Sequence, residues 1–169
     1  MRGGVPTWMS PRFYKVGDHA EGGIVAYLLQ SGDPGYEPGK LHGLIAYTGD
    51  IGDAEWGCYR ELAGNLGTAI GTGKSNTEAI AAKCGNGSAA AQCKTFSANG
   101  YADWYLPSLD ELKKVYANRA TIGGFNKGEY WTSSETGIWA AYMIRFLDKP
   151  DYIDLSKFAK FHVRPVRSF

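Results

Sequence analysis

Apolar residues in this chain fall into short runs separated by glycine and polar turns. The run Gly23-Ile24-Val25-Ala26-Tyr27-Leu28-Leu29 is short, apolar and Gly-bounded, which predicts a buried strand. Leu44-Ile45-Ala46-Tyr47-Thr48 predicts a second strand. Residues 30–40 between them hold three Gly and two Pro and must turn, so a hairpin is the simplest connection. Residues 49–73 are polar and Gly-dotted, which predicts a long loop with at most short helical turns. Helical signals follow. Asn76-Thr77-Glu78-Ala79-Ile80-Ala81-Ala82-Lys83 has good helix formers, with Ser75 or Asn76 as its cap. Gly85-Asn86-Gly87 breaks it, residues 88–96 restart a helix, and Asn99-Gly100 closes that one. Ser108 with Glu111 three residues on forms a capping box. Leu109, Leu112, Val115 and Tyr116 then share one stripe of a helix running to about Arg119. Lys113, Lys114 and Arg119 lie outside that stripe. After Gly123-Gly124 the pattern predicts strands at Tyr130-Trp131-Thr132-Ser133-Ser134, at residues 139–146 and at residues 158–166. No repeat or low-complexity tract interrupts the chain, and no domain boundary follows Pro11.

The 169 residues suit one core. Twenty-three glycines, about twice the usual share, and 14% aromatics suggest a tightly turned domain, not a helical bundle. Eighteen Lys and Arg against seventeen Asp and Glu exclude a globally basic nucleic-acid wrapper, so no nucleic acid is expected as partner. No window approaches ~18 apolar residues, so membrane insertion is not expected. The first eleven residues lack an apolar signal region, which places any export signal outside this stretch. The odd cysteine count, Cys58, Cys84 and Cys93, leaves at least one unpaired. In an exported chain the short spacing favours a local Cys84–Cys93 disulfide; in a reduced compartment all three are buried thiols. No Cys-x-x-Cys spacing or nearby His supports a zinc or redox site, and no cofactor is expected.

Several blocks together carry a resemblance. Tyr14-Lys15-Val16-Gly17-Asp18 precedes Gly22-Gly23-Ile24-Val25. Glu55-Trp56-Gly57-Cys58-Tyr59 and Gly67-Thr68-Ala69-Ile70-Gly71-Thr72-Gly73 come next. Asn99-Gly100-Tyr101-Ala102-Asp103-Trp104-Tyr105-Leu106-Pro107-Ser108 then leads into Asp110-Glu111-Leu112. Tyr130-Trp131-Thr132-Ser133-Ser134-Glu135 and Val163-Arg164-Pro165-Val166-Arg167 close the series. The sequence resembles the Lcl (Legionella collagen-like) C-terminal domain family across residues 14–169, with residues 1–13 as a lead-in. The resemblance implies an α+β, C-type-lectin-like (formylglycine-generating-enzyme-like) domain with short helices and a twisted antiparallel sheet. It also implies a bacterial surface or extracellular setting and a homotrimer, because the family's collagen stalk is three-chained.

No catalytic set converges. His19, His42 and His162 lie in no nucleophile-elbow context, so the chain is not expected to be an enzyme. Ser133 and Ser134 are expected to make turn or strand hydrogen bonds. The cysteines do not supply the reactive pair of formylglycine-generating enzymes. Residues 67–75 echo a phosphate-binding loop only with Thr68 in the first Gly position, and are expected to cap the next helix. The acids Asp50, Asp53 and Glu55, and Asp148, Asp151 and Asp154, match no calcium loop and are expected to be solvated.

Charge asymmetry is more informative. Residues 101–169 carry ten basic and eight acidic side chains, and the last thirteen hold Lys157, Lys160, Arg164 and Arg167 with no acid. On a strand Lys160, His162 and Arg164 would share one face at about 6–7 Å spacing, a ladder for sulfates or carboxylates. The expected ligand residues are Lys157, Lys160, His162 and Arg164, extended by Lys113, Lys114 and Lys127, with Arg119 nearby in the same field. Arg164 and Arg167 also fit a structural role, paired with core acids. The expected ligand is a sulfated glycosaminoglycan of heparin or chondroitin sulfate type, bound with avidity by a trimer. The competing expectation is a protein or neutral sugar held on an aromatic surface of Trp139, Tyr142 and Tyr152.

Overall fold

The hairpin forms where the apolar runs place it. In the computed structural model, which describes residues 13–169, β2 (Gly23–Leu28) pairs antiparallel with β3 (Gly43–Ala46). The expected lead-in, apart from Phe13, lies outside the described residues. The short β1 (His19–Ala20) extends the hairpin on one side and the C-terminal β9 (Val166–Ser168) on the other, giving the order β1-β2-β3-β9. Alternation splits the hairpin's side chains: Ile24, Ala26, Leu44 and Ala46 enter one core cluster, while Val25 and Ile45 pack with Trp104 on the other face.

A second, mixed sheet has the order β4-β8-β5-β6-β7, from β4 (Asp53–Glu55), β8 (Lys160–His162), β5 (Glu129–Glu135), β6 (Ala140–Arg145) and β7 (Asp151–Ser156). Only the β5–β8 pairing is parallel. Helix α3 (Leu109–Ala117) stands between the sheets. Its stripe of Leu109, Leu112, Val115 and Tyr116 meets Ile24 and Leu44 from one sheet and Tyr130, Ile144 and Phe146 from the other. The opposite face of the second sheet, with Trp131, Ala141 and Met143, is covered by α1 (Gly73–Cys84) and α2 (Ala89–Thr95) through Ile80, Ala89, Ala90 and Cys93. Among the described residues the fold is thus a single α+β domain with four helices and two sheets, the fourth helix being the short α4 (Arg119–Ile122).

Three expectations are corrected, and one strand is added. The loop at 49–73 contains β4, drawn into the sheet by Ala54, whose carbonyl accepts from Trp131 Nε1 at 2.8 Å. The strand expected at 158–166 divides, because β8 ends at His162 and the chain crosses to the other sheet before β9. Strand β7 was not foreseen; its acids masked the alternation of Tyr152, Ile153, Asp154 and Leu155. The disulfide joins Cys58 to Cys84, not Cys84 to Cys93. Cys93 sits on the inner face of α2, where burial pushes its thiol pKa up and out of reactive range.

The capping box of α3 reaches beyond its own helix. Glu111 N–H donates to Ser108 Oγ, and Ser108 N–H donates to Glu111 Oε2 at 2.7 Å. The other carboxylate oxygen accepts from Gly71 N–H at 2.9 Å, and Asn76 clamps Gly67 by accepting from its N–H and donating to its carbonyl. The glycine-rich loop is thereby closed on protein partners. Burial holds the Glu111 carboxyl above its ordinary value, against the pull of its N–H donors.

A carboxyl raised in the native state binds its proton more tightly folded than unfolded. Its contribution to stability is full below the ordinary glutamate value of 4.5 and is lost as pH rises through the elevated one. The melting-temperature advantage of wild type over Glu111→Gln should therefore shrink as pH rises from about 4 to about 8. A constant difference across that range in thermal denaturation would show that the carboxyl is not raised.

Candidate ligand-binding site

The crossing from β8 to β9 carries Arg164 inward and leaves Arg167 on β9, while the turn between β7 and β8 carries Lys157 inward. Arg164 is 1% exposed and pairs with Asp50 at 2.7 Å. It also donates to Tyr47 O at 3.0 Å and to Gly124 O, and its guanidinium lies 4.0 Å from the Phe125 ring centre. Arg167 grips Asp103 with two hydrogen bonds, of 2.7 and 3.0 Å, which hold that carboxyl below its usual range. Lys157 is fully buried: it donates to Glu135 Oε2 at 2.6 Å and to Glu61 O at 2.8 Å, 4.7 Å from the centre of Trp56.

The solvent-facing ladder expected from Lys157, Lys160, His162 and Arg164 is therefore corrected. Alternation stops where β8 ends, two residues short of Arg164. The acids that pair with these side chains are Glu135 with Lys157, Asp53 with His162 and Asp50 with Arg164. His162 Nδ1 lies 2.5 Å from Asp53, and Lys160 alone of the four is exposed. Lys113 pairs with Asp110 at 3.2 Å and sits 5.1 Å from the Tyr152 ring, while Lys114 lies 4.8 Å from the Tyr27 ring. Asp50 also accepts from the Tyr130 hydroxyl and from Asn126, both at 2.8 Å.

Cations converge elsewhere. A groove of about 430 Å³ opens between the segment from α4 to β5 and the turn joining β6 to β7. Arg119, Lys127 and Lys149 line it, with Asp148 as the single acid, and Phe125 and Phe146 lie below. The two rings lie with centres 4.8 Å apart and planes tilted by 39°, and Arg164 backs Phe125 from inside the core. Tyr116 holds the far wall by donating its hydroxyl to Leu147 O, and Arg119 donates to Tyr116 O at 3.1 Å. Lys127 and Lys149 are exposed and, among the described residues, form no ion pair. Of the seven expected ligand residues the groove takes only Lys127. It adds Arg119, foreseen only as a nearby charge, and Lys149, which was missed. The Lys149-Pro150 turn closing a predicted strand was the available signal.

The aromatic surface is also rearranged. Tyr142 is half-buried against the core and Tyr152 lies on the edge strand β7. Trp139 packs instead against Tyr59, with ring centres 5.5 Å apart.

Because Lys157 and Glu135 are buried together, Lys157→Ala should leave an uncompensated carboxylate and cost about 3–5 kcal/mol. Lys160→Ala should stay within about 0.5 kcal/mol of wild type. Denaturant titration checks both, and equal small effects would place Lys157 at the surface after all.

In comparisons with known proteins, the chain matches no family model and no curated protein.

Proposed function

We propose that this chain is an Lcl C-terminal-type adhesin domain that binds sulfated glycosaminoglycans in the groove floored by Phe125 and Phe146. One observation carries the reading: three cations face one acid around a rigid aromatic floor. A sulfate ester stays ionised at every physiological pH and offers several acceptor oxygens. The Arg119 guanidinium supplies a planar fork for it, while Lys127 and Lys149 supply mobile point charges. Phe125, the partly exposed ring of the floor, gives the sugar ring a surface between its charged groups. Affinity from so few exposed cations is modest and salt-sensitive, so adhesion depends on several copies acting together. Trimerisation, which the family resemblance implies, would raise avidity by ~10²–10⁴.

Two further features support the reading. The Cys58–Cys84 disulfide suits an oxidising, extracellular or cell-surface setting. The return of β9 to the sheet of the N-terminal hairpin, with helices packed around both sheets, is compatible with a C-type-lectin-like domain. The domain is read as a binding module, not an enzyme.

Retention on immobilised heparin and chondroitin sulfate across a salt gradient tests this. The double variant Lys127→Glu/Lys149→Glu should elute at much lower salt than wild type, whereas Lys113→Glu/Lys114→Glu should stay close to it. Light scattering of the same fractions should report three chains. Unchanged elution of the groove variant would reject the groove, and a monomer that binds as tightly would reject the need for assembly.

A further inference from the structure

The groove leaves an exposed aromatic cluster among the described residues unexplained. Tyr59, Trp139 and Phe158 are 45%, 49% and 65% exposed. Tyr59 joins the other two, with ring centres 5.5 Å from Trp139 and 5.8 Å from Phe158. A single exposed aromatic needs no explanation, but three in contact keep apolar area in water that folding could have buried.

We propose that this platform is a second, charge-independent subsite that stacks against the C–H face of a neutral pyranose ring. The proposal rests on reading the chain as a polysaccharide-binding module, and deepens it by naming a second class of sugar contact.

The first support is rigidity. The three rings come from three loops, and a buried scaffold locks those loops together. Arg60 N–H donates to Ile138 O at 2.8 Å, and Lys157 N–H donates to Trp139 O at 2.9 Å. The Lys157 ammonium reaches Glu61 O from beneath, and its partner Glu135 accepts from Ala63 N–H and Gly64 N–H. The disulfide at Cys58 anchors the residue before Tyr59. Gly57 has a φ of +99°, and a Cβ there would come within 2.9 Å of Cys84 Cβ and 2.8 Å of Ser88 Cβ. A surface ordered in advance loses little entropy when a ligand docks.

The second support is size. Three rings of about 150–250 Å² each, roughly half exposed, offer on the order of 300 Å². A stable protein interface takes about 800 Å² from each partner. The platform is too small for that and matches the apolar face of a short stretch of sugar. The negative π-face of an indole attracts the slightly positive C–H groups on such a face.

The third support is charge. Arg60, whose guanidinium is 5.3 Å from the Trp139 ring centre, and Glu61 flank the rings on one exposed loop. Glu61 is itself paired with Lys83 at 3.9 Å, so these groups offer donors and acceptors to hydroxyl groups while the three rings carry no charge of their own, which suits contact with a neutral ring. It also lies at the opposite end of the β6–β7 hairpin from the groove. Strands of this length put the two ends about 20 Å apart, which lets the sites act independently.

The test is titration of the full chain with neutral cello-, manno- and galacto-configured hexaoses, read by tryptophan fluorescence and calorimetry, with a heparin hexasaccharide in parallel. At least one neutral hexaose should bind, with affinity unchanged between about 0.05 and 0.5 M salt. Binding should weaken at least about tenfold in both Trp139→Ala and Phe158→Ala, and persist in Lys127→Glu/Lys149→Glu. Phe158 is mostly solvent-exposed, so its variant serves if loss of Trp139 disturbs folding. Failure of every hexaose to bind would overturn the proposal, as would binding that survives both aromatic substitutions. A drop in assembly mass on Trp139→Ala would overturn it too, by assigning the platform to contact between copies. Failure of the wild-type chain to bind the heparin hexasaccharide, with hexaose binding intact, would sink the groove and not the platform.

Discussion

The ion pair between Arg164 and Asp50 is shut away from water, and much of the molecule is arranged to make that tolerable. A buried charge is costly unless paired and fully hydrogen-bonded. Asp50 therefore takes Arg164, Tyr130 and Asn126 together, and Arg164 gives two further donors to the Tyr47 and Gly124 carbonyls. These contacts draw in the end of the first sheet, the central strand of the second and the segment leading into it. The groove floor follows from the same pair, since the guanidinium sits behind Phe125.

Lys157 and Glu135 repeat the logic on the other side of the domain. Their pairing fixes three loops whose outer side chains have little else to hold them. In both places a charge lies inside and the surface it supports lies outside. This division separates positioning from contact: the exposed side chains can vary in chemistry while the buried pair keeps their backbones in place.

Local signals carried much of the fold. The β2–β3 hairpin and α3 were legible because alternation, a capping box and turn residues act over a few positions. The division of residues 158–166 was not, because Val163 and Val166 look strand-like whichever sheet they enter. Burial of the two cations was illegible for a related reason. Lys157 finds its acid 22 residues away and Arg164 finds its own 114 residues away, and no periodicity reports such meetings. The groove has the same character, since Arg119 and Lys127 precede the β5–β6 hairpin and Lys149 follows it. Among the aromatics, Trp139 stood out in sequence, but Tyr59 and Phe158 joined it only through folding.

Cys93 has a bearing on how the chain reaches this state. Three thiols allow three pairings, and two of them compete with the native bond. Cys93 leaves that competition only when α2 docks and its thiol enters the core beside Ile80 and Ala90. Docking of a seven-residue helix thus serves as proofreading for oxidation. A chain oxidised before α2 settles can close the wrong ring and strand the helix outside, whereas one oxidised afterwards has a single choice left. Yield of correctly bridged protein is then a race between helix docking and thiol oxidation, set by the redox conditions in which the chain folds.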